Sequence, residues 1–108
     1  MAPKVGRESA RIDWTRPAEA VANLIRAFDP SPGGWTTVGE GDLKLFRPRV
    51  VKFGGSPGTV VSLDPLTIAA GSGAVAVLEV QPAGGARMAT TDWVRGRGRA
   101  IRIGDRCR

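Results

Sequence analysis

Apolar residues at Val21, Leu24, Ile25 and Phe28 follow the i, i+3, i+4, i+7 spacing of one helix face. Asp13-Trp14-Thr15-Arg16-Pro17 opens this helix: Thr15 or Arg16 is the expected cap, Pro17 fits the first turn, and Glu19 complements the dipole. Pro30 and Pro32-Gly33-Gly34 end it. Arg26 falls between stripe positions and flanks the buried face. After Gly34 the period shortens to that of strands. Trp35–Val38 is a short strand, and Gly39-Glu40-Gly41-Asp42 reads as a turn. Leu43–Arg47 partly alternates, Pro48 interrupts it, and Val50–Phe53 continues beyond a bend. Thr59–Leu63, Leu66–Ala70 and Ala74–Gln81 are further strands, separated by Asp64-Pro65 and Gly71-Ser72-Gly73. Ala89–Gly96 fits a short helix, capped by Thr90 or Thr91 with Asp92 in its first turn. One helix followed by five or six short strands predicts an all-β barrel or sandwich.

Composition adds limits to this pattern. At 108 residues the chain supports one core. Its 15 Gly and 8 Pro favour many short elements over long helices. There is no His, which excludes His-based acid–base work, His-activated nucleophiles and imidazole metal sites. The single Cys, Cys107, forms no internal disulfide and suggests a reducing compartment. No apolar run reaches the length of a membrane span, and residues 1–12 lack the apolar region of a signal peptide. A soluble, cytoplasmic, monomeric chain without membrane association is expected.

Charge is unevenly distributed. The net charge is +6, yet residues 1–86 hold nine basic and eight acidic side chains. Residues 87–108 hold seven Arg against Asp92 and Asp105. Such an excess points to phosphate groups, or else to a solvated tail kept basic for solubility. Within it, Arg95-Gly96-Arg97-Gly98-Arg99 combines forked donors with close backbone approach. Lys44, Arg47, Arg49 and Lys52 lie on or beside a strand and could extend a basic face. Trp14, Trp35 and Trp93 are read as packing residues rather than base-stacking platforms. With no Tyr and three Phe, a shape-and-phosphate reader fits better than a stacking one.

Other motifs carry no chemistry. Gly54-Gly55-Ser56-Pro57-Gly58 matches the G-x-S-x-G elbow of serine hydrolases, but that motif needs a following helix and a His partner. A strand follows instead. Neither a dinucleotide fingerprint nor a Walker loop occurs, and no acidic cluster has metal-ligand spacing.

Taken in order, Ile12-Asp13-Trp14, Ile25-Arg26-Ala27-Phe28-Asp29-Pro30-Ser31-Pro32, Leu43-Lys44-Leu45, Pro57-Gly58-Thr59, Ala69-Ala70-Gly71-Ser72-Gly73 and Gln81-Pro82-Ala83-Gly84 resemble the C-terminal domain of methionyl-tRNA formyltransferases. The resemblance runs from about residue 8 to residue 97. It implies an open Greek-key β-barrel, similar to an OB-fold, with the helix packed on it. Residues 1–12 would be a lead-in or linker, 13–97 the barrel domain and 98–108 a basic tail. It further implies an N-terminal catalytic domain of the same protein that carries the 10-formyltetrahydrofolate site and the catalytic Asn, His and Asp. The C-terminal domain would hold initiator tRNA and have no cofactor or catalytic residue of its own.

Carried onto this chain, Lys44 matches the family's basic strand position, and Arg95 to Arg97 its basic C-terminal stretch. The usual Q-P-x-G-K-K/R-x-M is here Gln81-Pro82-Ala83-Gly84-Gly85-Ala86-Arg87-Met88. Both basic positions are lost, and Arg87 stands one residue later. The expected phosphate contacts are therefore Lys44, Arg87, Arg95, Arg97 and Arg99, with Arg47, Arg49 and Lys52 as a possible extension. Two alternatives stay open: the scaffold domain of another folate-dependent formyltransferase, and a free-standing OB-like RNA-binding module.

Overall fold

The computed structural model describes residues 7–39 and 41–108. Residues 1–6 of the expected lead-in, and Glu40 of the expected turn, lie outside the described residues. A 3-10 turn at Arg7–Ala10 leads to helix α1, Ala18–Ala27. Six antiparallel strands follow: β1 Gly34–Val38, β2 Gly41–Val51, β3 Val60–Leu63, β4 Leu66–Ala69, β5 Ala74–Pro82 and β6 Met88–Ala89. Helix α2, Thr90–Arg95, comes after them. Among the described residues no helix is long and apolar enough to cross a membrane.

Helix α1 starts without a side-chain cap, contrary to expectation. Pro17 is the cap residue, and the Ala18 N–H donates to the Ser72 carbonyl at 2.9 Å. The Gly71 N–H in turn donates to the Arg16 carbonyl at 2.8 Å, so the β4–β5 turn does the capping. The Thr15 hydroxyl instead donates to Asp13 Oδ1 at 2.6 Å. That bond holds the Asp13 carboxyl below its ordinary pKa, with the Thr15 backbone N–H adding to the effect. The buried stripe of α1 is Ala18, Val21, Ala22 and Ile25. Leu24 and Phe28 are only half-buried, so the face is turned slightly from the expected one.

The strand order is β1-β2-β5-β4-β3, with β6 pairing β5. β3, β4 and β5 follow one another as hairpins, and β2 lies beside β5, which is a Greek-key order. β4 pairs Ala74 to Ala76 of β5, and β6 pairs Glu79 and Val80, so β6 prolongs the edge that β4 begins. Pro48 does not end β2. Phe46 pairs Glu79 and Pro48 pairs Val77 in one continuous register, with the bend taken up at Arg47, whose φ is 53°. β1 pairs β2 only as far as Leu45, so no strand needs the N–H that Pro48 lacks. Its carbonyl accepts from Arg26 Nη2 at 3.2 Å, which ties α1 to that edge.

The sheet curls into an antiparallel half-barrel, and the C-terminal segment bridges its open side. Val60 N–H donates to Asp105 O, and Gly104 N–H to Val60 O, both at 2.8 Å. Thr37 and Arg108 exchange N–H···O bonds at 2.7 and 2.8 Å on the other edge. Gly58 permits this closure: at φ 86°, a Cβ there would lie 2.7 Å from the Cys107 carbonyl oxygen. Residues 98–108 are thus tied to the barrel, with Ile101 and Cys107 buried and the arginines and Ile103 exposed. Residues 7–12 pack on the barrel as well, with Ala10 and Ile12 buried and Ile12 N–H on Trp35 O at 2.9 Å.

The core lies between the concave sheet face and α1. Ile25, Leu45, Val60, Ile68, Val75, Val77 and Val80 are completely covered. Trp14 spans the core edge, its Nε1 donating to Thr36 Oγ1 at 2.9 Å, while that hydroxyl donates to Arg108 O.

Candidate nucleic-acid interface

The Arg-Gly run is ordered. Thr90 opens α2 without capping it, its buried hydroxyl donating to Val77 O at 2.9 Å. At the helix end the Gly96 N–H donates to Asp92 O and Trp93 O, and Gly98 N–H to Trp93 O. Gly98 sits directly on the Trp93 indole, where a Cβ would fall 2.6 Å from ring carbons. Glycine is demanded there by packing. With Trp93 and Gly98 buried between them, Arg95, Arg97 and Arg99 are left exposed on a rigid turn.

Arg97 leans over the Pro82–Gly85 turn that follows β5. Its Nη2 donates to Ala83 O at 3.1 Å, and its Nη1 occupies space a Gly85 side chain would need. On the other side of the same turn, Lys44 pairs Gln81 across β2 and β5. Two grooves meet here. One, of about 450 Å³, is lined by Leu43, Pro82, Trp93, Arg97 and Ile101 among others. The second, of about 240 Å³, is lined by Trp35, Lys44, Gln81, Pro82 and Gly84. Both share Asp42, Pro82 and Ala83. The structure thus brings Lys44 and Arg97 to one turn, 53 residues of sequence apart.

Arg87 is placed differently from the others. Its Nε donates to Glu79 Oε1 at 2.7 Å, and its Nη1 and Nη2 fork Asp29 at 2.9 and 3.3 Å. The guanidinium carbon lies 4.0 Å from the centroid of Phe46. The Asp29 bond is the main cause of a raised Arg87 pKa, burial opposing it and Glu79 assisting. Arg47 shares Glu79, Nε to Oε2 at 3.1 Å. Two cations and two carboxylates thus neutralise one another. Arg49 and Lys52 are exposed farther along the chain of β2 and beyond it. Among the described residues Lys44, Arg95, Arg97 and Arg99 carry no ion pair.

All three tryptophans are buried, as packing residues should be. Trp14 and Trp93 belong to the core cluster, and Trp35 does not. Trp35 lies on the convex face in register with Lys44, under the guanidinium of Arg11, 5.3 Å from the ring centroid. Arg11 escaped the sequence reading. Its signal was the parity of Trp35 and Lys44, which needs the β1–β2 register to be seen.

Comparisons with known proteins agree with this architecture. Residues 4–98 match the family model described as "Formyl transferase, C-terminal domain". A methionyl-tRNA formyltransferase from Symbiobacterium thermophilum is 48% identical over 101 residues, covering 88% of this chain and 30% of the relative. One from Chelativorans sp. is 43% identical over 108 residues, covering 94% of this chain and 34% of the relative. The chain thus spans about a third of the length of these relatives. Among solved structures, HypX from Aquifex aeolicus in complex with tetrahydrofolic acid superposes with a TM-score of 0.77 at 18% identity. That match covers 97% of this chain and 21% of HypX, and it speaks for the fold. The Greek-key half-barrel, its helix and the family match together place the chain in the formyl transferase C-terminal domain family.

Proposed function

We propose that this chain is the tRNA-holding C-terminal domain of a cytoplasmic methionyl-tRNA formyltransferase, acting within a monomer beside an N-terminal catalytic domain. The supporting observation is the sorting of its cations. Arg47 and Arg87 are consumed by Glu79 and Asp29, whereas Lys44, Arg95, Arg97 and Arg99 stand unpaired among the described residues around the grooves or on the adjoining turn. Unpaired cations on a rigid scaffold release counterions when they meet phosphate, the main source of affinity for nucleic acid. Forked guanidinium groups suit phosphate oxygens, and few exposed aromatic rings are offered for stacking. Initiator tRNA would therefore be read by shape and backbone. Arg87 leaves the expected contact set, since phosphate would have to displace two carboxylates. Arg97 covers the turn in its place. Arg49 and Lys52 remain available as an extension of the face.

A reduced folate supplies the formyl group in such enzymes, and these residues do not fit it. The grooves are open, and every buried side-chain polar atom among the described residues already has a hydrogen-bond partner. A pteridine needs several convergent buried donors and acceptors. No chemical step is assigned to this chain.

The test is a competition between folded initiator tRNA and an unstructured RNA of equal length. The proposal expects tRNA to be preferred. Preference for the unstructured strand would favour an OB-like single-strand module, and binding of neither would favour a scaffold role.

A further inference from the structure

Arg11 and Lys44 stand on either side of Trp35 in one cross-strand row. Arg11 bridges Trp35 in parallel, and Trp35 pairs Lys44 in antiparallel register. Three adjacent strands put the outer two backbones about 10 Å apart. Trp35 is 7% exposed, with the Arg11 guanidinium over its indole and Lys44 lining the same groove. Arg11 itself is exposed and carries no ion pair among the described residues. A guanidinium laid on an aromatic ring keeps its edge donors free while losing little freedom on binding, because the ring has already restricted it. The backbone beneath is fixed as well: Ile12 N–H donates to Trp35 O, and Arg11 N–H to Glu8 O at 3.2 Å. Among the described residues one carboxylate lines the groove, Asp42, and its Oδ1 accepts the Thr37 hydroxyl at 2.9 Å.

We infer that Arg11 is a phosphate-contacting residue of this face, with Trp35 as the post that positions it, so that Arg11 and Lys44 grip one nucleic-acid backbone from both sides of the indole. This rests on the proposed tRNA-binding role. It extends the interface from the Arg95–Arg99 turn across the whole convex face to the entering chain.

The experiment measures tRNA affinity of the full chain against salt for the unaltered protein, Arg11→Ala, Arg11→Lys and Lys44→Ala, with thermal midpoints recorded for each. Arg11→Ala is expected to weaken binding several-fold and to lower the log–log salt slope by about 0.7–0.9, one phosphate contact, with a midpoint loss smaller than that of Arg87→Ala, since one cation–π contact and no ion pair is removed. Arg11→Lys keeps the charge without the planar stack, and should retain the slope while losing part of the affinity. If Lys44→Ala weakens binding and neither Arg11 variant does, the inference is overturned and the tRNA-binding role stands. If the unaltered chain shows no salt-dependent binding, both fall.

Discussion

Arg87 forks the carboxylate of Asp29 across 58 residues of chain, Nη1 to Oδ1 at 2.9 Å and Nη2 to Oδ2 at 3.3 Å. The pair ties the loop after α1 to the strand edge at β6, and the guanidinium roofs Phe46, which is 1% exposed. A residue that the family resemblance assigns to phosphate is thereby engaged in holding two segments together.

Replacing it should therefore affect folding and not tRNA affinity. Arg87→Ala removes partly exposed ion pairs worth little each, one cation–π contact and the cover over Phe46. A loss of about 1–2 kcal/mol is expected, read as a drop of roughly 4–16 °C in Tm for a domain of this size. Urea or thermal unfolding measures it. Unchanged stability with weakened tRNA binding would return Arg87 to the interface.

Helix α1 offers a graded pair. Ile25 is fully covered and Leu24 half-covered. Ile25→Ala should cost about 2–5 kcal/mol and Leu24→Ala roughly half as much. Denaturant titrations that find the two equal, or Leu24→Ala the worse, would contradict the helix orientation described above.

Cys107 supplies a pH-dependent reporter of barrel closure. Burial, with Asp105 adding a smaller effect, pushes its thiol up to about 12 from 9.0. The folded-state pKa is raised, so the contribution is fully present below pH 9. Between pH 9 and 12 the unfolded thiol gives up its proton while the folded one keeps it. Stability then falls by up to about 1.4 kcal/mol per pH unit. Thermal midpoints from pH 8 to 11 should drop more steeply for the native chain than for Cys107→Ala. Parallel curves would mean that the C-terminal segment leaves the thiol accessible.

Local patterns were legible wherever one face is buried and the neighbours are close in sequence. The α1 stripe, the strong β5 strand and the two-residue turn at Asp64-Pro65 follow directly from period and turn chemistry. What escaped depends on long-range pairing. Pro48 reads as a break, because nothing in the sequence says that β1 begins only opposite Leu45 and leaves the rest of that edge without a strand. Residues 98–108 read as a basic tail, since the bonds of residues 104–108 to Val60 and Thr37 are made by backbone groups that any sequence carries. At the site, the basic residues could be counted, but which of them carboxylates neutralise could not. Arg87 finds Asp29, and Arg47 finds Glu79, only after the sheet has formed.

We propose that unpaired cations around the Pro82–Gly85 turn and on the Arg95–Arg99 turn hold tRNA by its backbone. The most direct measurement is the tRNA affinity of the native chain and of Lys44→Ala/Arg97→Ala over a range of salt. The account predicts a linear fall of log affinity with log salt. The double variant's slope should be shallower by about 1.4–1.8, two phosphate contacts, with the chain still folded and only the Arg97–Ala83 bond lost from its stability. A flat native profile, or the same slope in both proteins, would contradict it.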